Sequence, residues 1–194
     1  MFPVEGVFYI NLRGVWYTPI SRYETDFSVR MTRRNNMNFE TDIFTVFDKK
    51  WALLTAGKKD DFNTMTISWG GMGTLWGKPV VTTYVRTSRY THEFLDKNEF
   101  FTVSFYPEEY KKTLGILGSK SGRDIDKMHI EGLTAEVVGD SISFKEAEIT
   151  LLCRKLCLQP IDPKNMNPDI AQQFYSADAP HDMYIGEVVD IIRK

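Results

Sequence analysis

From residue 50 onward the chain consists of short runs of β-branched and aromatic residues, separated by turn chemistry rather than by long helical patterns. "WALLTAG" and "FNTMTISWG" flank the polar "KKDD", which predicts a hairpin with a four- to five-residue connection. Lys78-Pro79 opens the strand "VVTTYVR", and "EFFTVSFY", "LTAEVV", "AEITLLCRKLCLQPI" and "DMYIGEVVDIIRK" read as further strands. Helical signals between them are brief: about 89–97, two pieces within 108–130 around "GSKSGRD", and "NPDIAQQFYS". Seven or eight strands without the 10–15-residue helices of β-α-β units fit a doubly wound sheet less well than an antiparallel barrel. They predict a mainly β fold with short helices, an antiparallel barrel with helical insertions. Aromatics make up 13 % of the chain, which suits a β-rich core.

Residues 1–47 read as an N-terminal extension, with an extended arm or short hairpin over 1–20 and a polar stretch over 21–36. The cluster Arg30, Arg33 and Arg34 in that stretch is read as a solvated face. In 38–49, Phe39, Ile43, Val46 and Phe47 recur at helical spacing.

A net charge of −2, from 24 basic and 26 acidic residues, gives no global field for nucleic acid or an anionic membrane. Two cysteines are too few for a secreted disulfide framework. The N-terminus lacks a basic n-region with an apolar run, and nothing approaches 18 consecutive apolar residues. A cytoplasmic protein is expected.

Several motifs fail on inspection. "GGMGTLWG" lacks the third glycine of the dinucleotide fingerprint and precedes a strand. "GILGSKSG" separates its glycine and lysine with Ser119, unlike a P-loop, and follows a helical segment. Cys153 and Cys157 form no four-ligand zinc pattern with His129 or His181, and four apart on a strand they are read as core fillers. His92, His129 and His181 stand without a nucleophile elbow, so no hydrolase is supported and no metal site is expected.

"YVRTSRYTHEFL", residues 84–95, is different. Ser88 reads as the N-cap of a helix whose first turn has Thr91 where a capping box would place Glu. Arg86 and Arg89 add positive charge to the positive end of the dipole. Such a helix start favours an anion, with hydroxyl and guanidinium donors at hand; the alternative is that Arg86 pairs with Glu93 and Ser88 simply caps. In "NTMTISW", residues 63–69, small polar side chains alternate along a strand and leave room for a flat ligand beside the backbone.

The order N-x-M-T-x-S-W, R-x-S-x-x-T, S-G-R-D-x-D-K and I-G-E-V resembles the flavin reductase-like, FMN-binding split-barrel family, near its flavoredoxin branch, over roughly residues 48–194. The resemblance implies a six-stranded Greek-key barrel with extra elements, working as a homodimer with FMN near the subunit interface. It places Asn63, Met65, Thr66, Ile67 and Ser68 along the flavin. Arg86, Ser88 and Thr91 would hold the phosphate, and Ser119, Lys120 and Ser121 would close over the cofactor. His181 would face the flavin or the nicotinamide. The implied activity is hydride transfer from NADH or NADPH to flavin, the alternatives being a flavoredoxin-type electron carrier with a possible protein redox partner and a non-catalytic flavin-binding module.

Overall fold

A computed structural model describes residues 39–194, so the arm, the polar stretch and the arginine cluster expected before them lie outside the described residues. A helical turn α1 (Ile43–Thr45) continues as a π-helical stretch, Val46–Lys50. Asp42 caps it by accepting from the Phe44 and Thr45 amides, and Val46 and Phe47 are buried.

Nine strands follow among the described residues: β1 (Ala52–Lys58), β2 (Asp61–Ile67), β3 (Gly70–Leu75), β4 (Lys78–Arg86), β5 (Phe100–Phe105), β6 (Ala135–Val138), β7 (Ser141–Phe144), β8 (Ile149–Pro160) and β9 (His181–Arg193). Three helices interrupt them: α2 (Tyr90–Lys97), α3 (Lys111–Ser119) and α4 (Pro168–Tyr175). Seven strands form one antiparallel sheet in the order β2-β1-β5-β8-β9-β4-β3, and β6-β7 make a separate hairpin.

β2 and β3 are the two outer strands of that sheet, yet only Ser68 and Trp69 separate them in sequence. Laid flat, six inter-strand steps would put them about 29 Å apart. The chain from Ile67 to Gly70 spans at most about 11 Å. The sheet must therefore curl until its edges meet, which makes a barrel split between β2 and β3.

Period-two alternation sorts the buried side chains into two cores. Leu54, Ala56, Val81, Val85, Phe101, Val103, Leu151 and Tyr184 belong to one. Leu53, one residue away from Leu54, belongs to the other with Phe62, Leu114, Leu117, Ile142 and Phe144. This second core lies under α3 and the β6-β7 hairpin, so β1 is buried on both faces.

Three readings are corrected. The β1-β2 connection is two residues, Lys59 and Asp60, because pairing continues to Lys58 and Asp61. β7 was not expected; the hydroxyls of "SISF" hid it. They meet neighbours inside the second core, Ser143 Oγ lying 2.9 Å from Ser104 Oγ and 2.8 Å from Thr150 Oγ1, while Thr102 Oγ1 donates to the Ile142 carbonyl at 2.6 Å. Cys153 is fully buried, and burial pushes its thiol pKa up, but Cys157 is half-buried. A bulge between Lys155 and Cys157 breaks the alternation that would have given both cysteines one face.

Gly186 on β9 tests the packing, because a Cβ there would stand 2.5 Å from Phe101 Cζ and 3.0 Å from Cys153 Cβ. Gly186→Ala is expected to cost about 1–3 kcal/mol through overpacking, read as a lower denaturation midpoint with an unchanged slope.

Candidate functional site

β4 ends at Arg86, and a tight turn, with the Arg89 amide donating to the Arg86 carbonyl at 2.9 Å, leads into α2. The N-cap of α2 is Arg89 rather than Ser88. A guanidinium cannot accept, and Arg89 makes no side-chain cap bond. The first-turn amides therefore lack the carboxylate or hydroxyl acceptor that usually covers such an end.

Beside this end lies a cavity of about 290 Å³, near the lower end of ligand-pocket sizes. Of the residues expected at a site, Asn63 and Met65 on β2, Ser88 and Thr91 at α2, and Lys120 and Ser121 after α3 line it together. Asn63 Nδ2 donates to Thr91 Oγ1 at 2.7 Å, a buried bond that ties β2 to α2. Gly122 sits against that pair, since a Cβ there would fall 2.0 Å from Asn63 Oδ1.

The other expected residues lie elsewhere. Thr66 Oγ1 donates to the Leu114 carbonyl, Ser119 Oγ to the Ile116 carbonyl, and Ile67 is buried in the first core. Ser68 is half-buried in the link to β3 and does not line the cavity.

Arg86 is committed to the connection before β9. Its Nε lies 3.1 Å from Asp178 Oδ2, Nη1 donates to the Ala179 carbonyl at 2.6 Å, and Nη2 to the Phe174 carbonyl at 3.1 Å. Arg86 thus does not line the cavity, and Asp178, which does, is already paired. Glu93, the alternative partner of Arg86, is bound by Arg123 instead. Arg123 also stacks over the Tyr90 ring at 4.7 Å, fastening the 120–127 loop onto α2.

His181 is the first residue of β9, paired with Arg86, and does not line the cavity. It is buried beside Trp69 and Tyr175, with Nδ1 3.1 Å from the Tyr175 hydroxyl. Burial first, and then the charge of Arg86, brings its pKa down to about 4, so it is neutral at pH 7. His92 bridges two acids, with Nε2 2.7 Å from Asp182 and Nδ1 3.2 Å from Asp96, and docks α2 on β9.

Sequence reasoning missed Arg89, Tyr90, Gly122, Lys127 and Asp178 as cavity residues. Lys127 closes the S-G-R-D-x-D-K motif, so its position was visible, but its burial was not. It is 4 % exposed and donates to the Thr64 carbonyl at 3.0 Å and the Leu117 carbonyl at 2.7 Å.

A family model described as "Flavin reductase like domain" matches residues 46–194. The chain belongs to that family. Among curated proteins none matches it. The fold is similar to an FMN-binding protein from Thermus thermophilus with bound p-hydroxybenzaldehyde, at 19 % identity, 81 % of this chain and 80 % of that one, and a TM-score of 0.60. Flavoredoxin from Methanosarcina acetivorans shares 20 % identity over 81 % of this chain and 75 % of that one, with a TM-score of 0.59. The styrene monooxygenase flavin reductase of Pseudomonas putida S12 shares 17 % over 74 % and 79 %, with a TM-score of 0.55. These likenesses establish the barrel as the split-barrel fold; no described helix is long and apolar enough to cross a membrane.

Neutral His181 gives a pH-dependent stability. Its pKa is about 4 folded and about 6.5 unfolded, so between those values only the unfolded chain takes up the proton, and stability falls as pH drops through that window. His181→Gln should lose less stability than wild type between pH 7 and pH 4.5, measured by urea unfolding. Parallel curves would show that His181 is not held neutral.

Proposed function

We propose that this chain binds FMN, with the phosphate at the start of α2, and serves as a flavin oxidoreductase that draws hydride from NADH or NADPH. The observation that carries this reading is electrostatic. Uncapped amides of α2, with Arg89, Lys120 and Lys127, face one cavity whose lining includes a single acid, Asp178, itself bound to Arg86. A phosphate monoester, with about −1.5 to −2 charge and three acceptor oxygens at pH 7, matches those donors in number and sign.

The residues present fit the group. Ser88, Thr91 and Ser121 offer hydroxyls, Gly122 keeps the backbone close to Asn63, and Met65 gives an apolar surface for a ring. An acid at position 91 would repel the phosphate, which accounts for the hydroxyl there. Bound flavin supplies the hydride and one-electron chemistry. The chain's part is to hold and orient it: Asn63 and Thr91 lock β2 against α2, and Arg86 steadies Asp178 at the cavity wall. Neutral His181, away from the cavity, is no general acid at pH 7, since it lacks the imidazolium proton.

We further read the working unit as a homodimer. An apolar groove of about 340 Å³, lined by residues that include Phe39, Met72, Val80, Leu151 and Ile191, supports that reading.

Absorption spectra test the function directly. Purified protein mixed with FMN should retain yellow colour through gel filtration and bleach on anaerobic addition of NADH or NADPH. Colour that survives both nucleotides but bleaches with a reduced protein donor would replace the reductase by an electron carrier. Protein that retains no FMN would overturn the reading.

A further inference from the structure

We propose that residues 120–126 are a lid on this cavity and that Arg123 is its latch. The latch sets how fast flavin enters and leaves, and so whether it is kept as a prosthetic group or exchanged as a substrate; this inference rests on the flavin reading above. Lys120, Ser121 and Gly122 of the segment line the cavity. Both of its ends are fixed. α3 ends at Ser119, with the Lys120 amide donating to the Ile116 carbonyl at 3.0 Å, and Lys127 is buried with its ammonium on the Thr64 and Leu117 carbonyls. Between those ends the backbone bonds close on the segment itself: the Asp124 and Ile125 amides donate to the Ser121 carbonyl, and the Arg123 amide to Ser121 Oγ. Among the described residues, Arg123 is the one member of 120–126 whose side chain bonds to another element.

That side chain grips α2 and the turn before it. Nη2 is paired with the Glu93 carboxylate, Nη1 donates to the Ser88 carbonyl at 3.4 Å, and the guanidinium lies 4.7 Å from the centre of the Tyr90 ring. Tyr90 is itself a cavity residue, set edge-on against Phe94 with 5.1 Å between centroids, so the seat of the latch is packed. Arg123 and Glu93 are both half-exposed, and an ion pair or cation–π contact at the surface is weak. A contact of that strength favours closure and still yields during ligand exchange. The closed cavity, about 290 Å³, is small for a ligand pocket. Gly122 closes against two of its walls, since a Cβ there would stand 2.0 Å from Asn63 Oδ1 and 3.0 Å from Tyr90 Cδ1. Raising the lid parts these surfaces and makes room for a ring system to enter.

The latch also controls a charge. Glu93 is the acid in the first turn of α2, and in the closed state Arg123 neutralises it. With the lid raised the carboxylate is bare, and it opposes an anion at the same helix start. Closure and retention of an anionic ligand therefore reinforce each other.

Stopped-flow flavin fluorescence on the full chain tests this. Mixing FMN with protein gives the association rate, and rapid dilution of loaded protein gives the release rate. Arg123→Ala should speed release about threefold to thirtyfold, the range for losing one exposed ion pair and one cation–π contact together. It should also speed association, although losing a cation would by electrostatics alone slow the approach of an anion. Arg123→Lys keeps a cation for Glu93 and the Tyr90 ring, and both of its rates should stay within about twofold of wild type. Rates unchanged in Arg123→Ala would overturn the latch. So would faster release with association unchanged or slower, which is the behaviour of an ordinary ligand contact, or an Arg123→Lys variant as fast as Arg123→Ala. Each of these leaves the flavin site standing, whereas wild type that takes up no FMN would remove the reading on which the inference rests.

Discussion

Two residues, Ser68 and Trp69, tie the outer strands of a seven-stranded sheet to each other, and the remaining architecture depends on that short tether. A sheet with its edges joined cannot remain open, so its inner face becomes a closed core and its outer face must find other cover. The β6-β7 hairpin supplies that cover over β1 and β5, and α3 over β2. The same arrangement brings β2 and the start of α2, 28 residues apart in sequence at Asn63 and Thr91, into hydrogen-bonding contact. The cavity is a product of this closure: one wall belongs to the edge strand, one to a helix start, one to the loop after α3.

Positive charge collects at that cavity because the nearby acids are committed elsewhere. Asp178 holds Arg86, Glu93 holds Arg123, and Asp96 and Asp182 share His92. With these pairs satisfied, Lys127 and the α2 amides keep unspent donor capacity beside the same space. A cluster of like charges around a buried lysine opposes folding unless something anionic is meant to occupy it, which is why a nucleotide phosphate is the economical reading.

Most strands were legible because β-branched runs bounded by turn residues leave few other options. "VVTTYVR" and "EFFTVSFY" emerge as β4 and β5 within a residue or two. "SISF" was not legible, since its hydroxyls look solvent-facing until Ser104, Thr150 and Thr102 are known to meet that hairpin across a buried seam. The face of Cys157 depended on a bulge, which has no signature in the spacing of two cysteines. At the site, Ser88, Thr91 and Asn63 stood out as small donors in suggestive places. Arg86 misled because a guanidinium beside a helix start looks alike whether it awaits a phosphate or grips a chain segment 88 to 93 residues on.

Local pattern determined that this chain makes antiparallel strands with short helices and carries a helix start with Thr91 in place of a capping-box acid, because turn chemistry, β-branching and the choice of Thr91 over Glu act within a few residues. Tertiary structure decided which charges remain available at that start. Burial and pairing are properties of neighbours distant in sequence: they assign Arg86 to Asp178, hold His181 neutral beside Trp69 and Tyr175, and bring Lys127 under β2 with no counter-ion among the described residues.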